Sequence, residues 1–123
     1  MPDKAVLEEF IATVERNRHD EAIDRFYADD ATMQENLDPP RRGKPALLER
    51  ERAVMAKLDE MRSECMRPVF VSGDHVVIRW NFDFRAKDGT RLFRDELAYQ
   101  RWEGSKIVEE RFYYDPNQAP PPR

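Results

Sequence analysis

Cysteine is nearly absent: Cys65 is the single one in 123 residues. It has no partner for an internal disulfide, which fits a reducing cytoplasm, and it reads as a packed small side chain rather than a nucleophile. Histidine is almost as scarce. His19 and His75 stand far apart and Cys65 lies at ligand spacing from neither, so no His/Cys metal set is expected. The four glycines form no phosphate-cradling loop and no Gly-x-Ser-x-Gly elbow. No apolar run approaches a membrane span. The N-terminus, MPDKAVLEEF, enters a helical pattern at once and is read as carrying no signal peptide. A basic excess is missing too: the net charge is -4, with 37% of residues charged and the signs mixed. That argues against a nucleic-acid surface. Arg41, Arg42 and Lys44 make one short basic cluster in a Pro/Gly loop, expected to be solvated.

The patterns that are present outline one domain, residues 1–116, followed by a Pro-rich tail, 117–123, expected to be extended and mobile. Asp3 is placed to cap a first helix whose stripe is Val6, Leu7, Phe10, Ile11 and Val14. After the polar break NRHD, Asp20 is expected to cap a short second helix, EAIDRFYADD, with Ile23, Phe26 and Tyr27 inward. A short extended piece, ATMQEN, and the loop LDPPRRGK follow. Pro45 suits the first turn of a third helix, which periodicity alone carries to about Met66, where Pro68 blocks it. The remainder is β. In GDHVVIRWNFDF, Val76, Ile78, Trp80, Phe82 and Phe84 share one face. Asp88-Gly89 turns the chain into RLFRDELAYQRW, and EGS turns it again into KIVEERFYYD. Helices first and hairpins after predict an α+β domain with an antiparallel sheet.

The last strand poses a question. Glu109 and Glu110 are neighbours in it, and neighbours in a strand point to opposite faces, so one carboxylate must point inward.

The order of elements from Leu7 to Pro116, the FYADDAT segment and the G-x-KI…YYD ending resemble the SnoaL-like branch of the nuclear transport factor 2-like superfamily. The resemblance implies a cone: a curved antiparallel sheet wrapped around three N-terminal helices, with an internal pocket. It ends the third helix near Asp59 and turns MRSECMRPVFV into a strand with an irregularity at Pro68. It places Trp80, Phe82, Glu96, Gln100, Glu110, Phe112 and Tyr114 toward the pocket, with Tyr27 close by. By position after YADDAT it marks Glu35 as a general base, whose pKa an apolar cone would raise. The isomerase branch polarises its carbonyl with a Tyr and an acid where this chain has Phe10 and Ala98, which donate no hydrogen bond. Tyr27, Tyr114 or Gln100 would have to replace them.

Three functions stay open at this point. One is a cofactor-free isomerase, cyclase or dehydratase on a small apolar carbonyl compound. The others are a binding module for a small hydrophobic ligand and a structural dimerisation domain built on the sheet. Glu96 and Glu110 would serve equally well in a structural network with Arg94, Arg101 or Arg52. Glu35 has its own structural role to weigh, as a partly exposed residue at the pocket mouth. His19 is expected in solvent, and His75 in a turn.

Overall fold

The computed structural model describes residues 2–122. The chain forms α1 (Lys4–Glu15), α2 (His19–Phe26), β1 (Tyr27–Glu35), β2 (Arg41–Arg42), α3 (Lys44–Ala56), β3 (Leu58–Ser72), β4 (His75–Ala86), β5 (Arg91–Glu103) and β6 (Lys106–Tyr113). The strands make one curved, unclosed sheet in the order β2-β1-β6-β5-β4-β3, with the three helices on its concave side. Asp3 caps α1 by accepting the Ala5 N–H at 2.8 Å. The helix buries Leu7, Phe10, Ile11 and Val14 against Ile78, Trp80 and other inward residues of the sheet. Among the described residues no helix is long and apolar enough to cross a membrane.

Several boundaries differ from the sequence reading. Asp20 does not cap α2: the helix starts two residues earlier, Arg18 holds the cap position without a side-chain bond, and Asp20 accepts the Glu21 N–H. YADD belongs to β1 rather than to the helix. Tyr27 already pairs with Ile107, and the ladder resumes only at Thr32 opposite Glu109. The register shifts between them, so that Asp29 and Asp30 are exposed while Ala31 stays in the core. The β1–β6 pair is parallel, in an otherwise antiparallel sheet. Hairpin signals report only contacts between consecutive strands, and this contact joins opposite ends of the chain.

α3 stops at Ala56 because Leu58 is taken into the long β3–β4 ladder opposite Ala86. That ladder shifts register between Met66 and Phe70, around Pro68, which has no N–H to give. Gly104 takes φ +58 in the tight turn between Glu103 and Lys106, a conformation that side chains other than glycine adopt with strain. The tail is not without contacts: Gln118 Oε1 accepts the Asp95 N–H at 2.9 Å, and Arg91 donates to the Pro121 carbonyl at 2.6 Å. Arg123 lies outside the described residues.

Candidate functional site

Between the helices and the concave face lies a cavity of about 260 Å³. Its apolar wall is largely aromatic. Trp80 and Phe82 stack at 5.5 Å with planes 15° apart, and Phe84 continues the row at 5.6 Å from Phe82. Phe10 and Phe112 face them. The row arises because β4 places every second residue on the concave face.

The question posed by the last strand has its answer on β6: Glu109 is exposed, whereas Glu110 is 2% exposed and borders the cavity. One Glu110 oxygen accepts the Tyr27 hydroxyl, and the other accepts Gln100 Nε2 at 2.6 Å. Gln100 Oε1 in turn accepts the Trp102 indole N–H at 2.9 Å. An indole can only donate, so this bond fixes which way the Gln100 amide points. Burial pushes the Glu110 carboxyl up to about 7, and the Tyr27 and Gln100 hydrogen bonds oppose that rise. The Tyr27 phenol is pushed well above its ordinary range by burial and by the charge of Glu110. Among the described residues no arginine pairs with Glu110, and neutral donors take the place of the ion-pair network considered from sequence.

Glu96 sits on β5, 8% exposed and bordering the same cavity. Among the described residues it makes no hydrogen bond and no ion pair. Among these residues no fully buried polar side-chain atom lacks a partner, so the unbonded Glu96 oxygens open onto the cavity. Burial, reinforced by Glu110 and partly relieved by Arg94, pushes its carboxyl up to about 8.

Glu35 stands at the mouth and is the reverse case. Arg41 Nη1 donates to it at 2.8 Å and the Tyr114 hydroxyl at 2.9 Å, and Arg50 Nη2 forms an ion pair with it at 3.1 Å. Burial acts to raise its pKa, but Arg41, Tyr114 and Arg50 together bring it below the ordinary carboxylate value. The expected upward shift is thus reversed: the cone is apolar, but its rim is cationic. Arg41 of the supposedly solvated basic cluster supplies much of this, because β2 pairs with β1 and sets Arg41 opposite Met33.

A family model described as a SnoaL-like domain matches residues 7–110. The chain belongs to the SnoaL-like family, in the nuclear transport factor 2-like superfamily. Among solved structures, a proposed SnoaL-like polyketide cyclase from Mesorhizobium loti is 26% identical, with 89% of this chain and 97% of that chain covered and a TM-score of 0.74. TerC, co-crystallised with polyporic acid, is 19% identical over 90% of this chain and 89% of its own, with a TM-score of 0.72. An LEH-like epoxide hydrolase from M. tuberculosis is 15% identical over 90% and 80%, with a TM-score of 0.74. Among curated proteins none matches significantly.

Of the residues singled out from sequence, Glu35, Tyr27, Trp80, Phe82, Glu96 and Glu110 border this SnoaL-like cavity, as does Phe112. Gln100 and Tyr114 do not: the first is wholly buried behind Glu110, and the second supports Glu35 from outside. His19 is the residue that was misplaced. Its side chain is only 12% exposed, lies within ring-contact distance of Phe82 and Phe84, and borders the cavity. Its Nδ1 lies 3.4 Å from Glu51 and its Nε2 2.8 Å from Ser63 Oγ, which itself donates to Asn17 Oδ1 at 2.8 Å. With the hydroxyl proton committed to Asn17, Nε2 must be the donor to Ser63. Helical spacing held the clue: His19, Ile23 and Phe26 fall on one face, and Glu51 falls between Leu47 and Val54 on another. Among the described residues no group of three or more His, Cys, Asp or Glu side chains is arranged to hold a metal ion.

Proposed function

We propose that this protein is a cofactor-independent proton-transfer enzyme, acting on a small, largely apolar carbonyl compound in the cone. One observation carries the reading: a single cavity holds two carboxyl groups whose environments push them apart, Glu35 downward and Glu96 up to about 8. Such a pair is how one site presents an ionised acceptor and a neutral donor at the same pH. Glu35, ionised, takes the proton next to the carbonyl. Glu96, protonated, donates a hydrogen bond to the oxygen on which charge develops. It thereby stands in for the donors missing at Phe10 and Ala98, from two residues away on the same strand face. Returning the proton to another carbon completes an isomerisation; its loss together with a hydroxyl group is a dehydration. Family membership, and the small-molecule chemistry of proteins that share the fold, support a small-molecule site.

The test is deuterium uptake from heavy water at the carbon beside the carbonyl, followed by NMR for 4-phenyl-2-butanone and 4-oxo-4-phenylbutanoate. Wild-type protein should accelerate exchange, and Glu35→Gln and Glu96→Ala should each slow it by about a hundredfold. Exchange at the buffer rate, or exchange indifferent to Glu35→Gln, sinks the enzymatic reading.

A non-catalytic binding module is the second reading. The cationic rim favours it, since two guanidiniums make Glu35 a weaker base. It expects ligand binding that survives Glu35→Gln, with no exchange. A homodimer through the convex face is part of either proposal. Leu97, Tyr99 and Tyr113 are each 44–45% exposed there, on adjacent strands. Sedimentation velocity on wild type and on Leu97→Lys tests it. The buried free thiol of Cys65 supports a cytoplasmic setting.

A further inference from the structure

We propose that the cavity takes an anion: a small aromatic or aliphatic acid whose carboxylate, or equally acidic enol oxygen, pairs with Arg94. This rests on the small-molecule reading above and adds the ligand's charge to it.

Among the described residues two arginines border the cavity, Arg50 and Arg94. Arg50 has a carboxylate partner in Glu35, which it shares with Arg41. Two guanidiniums on one carboxylate already leave the rim with an excess positive charge. Arg94 has no such partner. Its guanidinium carbon lies 4.4 Å from the centre of the Tyr114 ring, and among the described residues it makes no hydrogen bond and no ion pair. A half-buried guanidinium without an acceptor is an unfavourable arrangement in a folded chain. The aromatic face beneath it holds the group in place while its N–H fork stays unengaged.

The obvious neutralising group is Glu96, on the same strand and the same face. It forms neither a hydrogen bond nor an ion pair with Arg94, and acts on it only from a distance. Glu110 is engaged with Tyr27 and Gln100, and Glu51 faces His19. Among the described residues no carboxylate forms an ion pair with Arg94, in a chain whose net charge is -4. One guanidinium matches one negative charge, and its fork matches the two oxygens of a carboxylate. The neighbouring Glu96 O–H adds a donor of the kind an acidic oxygen accepts. Trp80, Phe82 and Phe112 leave an aromatic slot for the rest of the molecule.

The experiment compares 3-phenylpropanoate with its uncharged twin, 3-phenylpropanamide, by calorimetric or NMR titration of the full chain. Wild-type protein should bind the acid about tenfold or more tightly than the amide, as expected for a charge-assisted pair. In Arg94→Met that preference should fall to near unity, while the amide keeps its affinity within about threefold, because the apolar slot is unchanged. Arg94→Lys should recover part of the preference without the bidentate geometry. Equal binding of acid and amide by wild type overturns the charge inference and leaves the small-molecule site standing. A preference that persists in Arg94→Met also overturns it. If neither probe binds at millimolar concentration, the small-molecule reading falls as well.

Discussion

The mouth and the floor of the cavity hold the same side chain in opposite states. Glu35 at the mouth lies among two guanidiniums and a phenol, and its carboxyl falls below the ordinary value. Glu96 on the floor lies among aromatic rings and another carboxyl, and rises to about 8. Glu110 lies between them chemically: it has two neutral donors and still reaches about 7. Depth alone does not set the charge. Neutral hydrogen bonds offset part of the burial penalty, whereas guanidiniums reverse it. A cone of this kind can therefore hold acid and base a few residues apart without any cofactor to separate them.

The largest effect should come from breaking the floor. Glu110→Ala leaves the Tyr27 hydroxyl and the Gln100 amide without acceptors in a dry core, and should cost about 3 kcal/mol in urea unfolding. Next comes pH. Between the ordinary 4.5 and about 8 the folded chain keeps a proton on Glu96 that the unfolded chain has released. Glu110 does the same between 4.5 and about 7. Both groups therefore make stability fall as pH rises through that window, with the loss complete above it. Glu96→Gln should remove its share, gaining on wild type by about 2–3 kcal/mol between pH 5 and pH 7. Parallel curves for the two proteins would mean that Glu96 is solvated.

The mouth should respond less and with the opposite sign. Glu35 contributes stability above its unfolded value that is lost as pH falls through its lowered folded value. Arg41→Ala should cost about 1 kcal/mol at neutral pH and move the Glu35 carboxyl midpoint upward in a carbon-detected titration. A midpoint that stays put would show that Arg50 and Tyr114 suffice. Tyr114→Phe is the mildest change. It should lose about 0.5–1 kcal/mol and raise the same midpoint slightly.

What could be read ahead of the structure was whatever repeats locally. The α1 stripe, the alternation from Val76 to Phe84 and the Asp88-Gly89 turn each lie within a dozen residues. Alternation also required that Glu109 and Glu110 part ways, though only the family resemblance indicated which went in. The rest depends on contacts that no local pattern reports. Tyr27 and Glu110 meet across 83 positions, and His19 and Ser63 across 44. The parallel β1–β6 contact decides where α2 ends, and a two-residue strand decides that Arg41 reaches Glu35 rather than water. The sign of the Glu35 shift turned on that strand. Hydrophobicity alone gave the cone its apolar wall but said nothing of the charges at its rim.

Trp102 gives the floor an internal indicator. Its indole is fully buried, edge-on to Phe10 at 5.9 Å, and its N–H ends a one-way chain through Gln100 to Glu110. When Glu110 gains or loses its proton, the polarisation of that chain changes, and the indole is the last link to register it. The indole resonance of Trp102 thus reports the state of the deepest carboxyl in the molecule, in untouched protein and with no added probe.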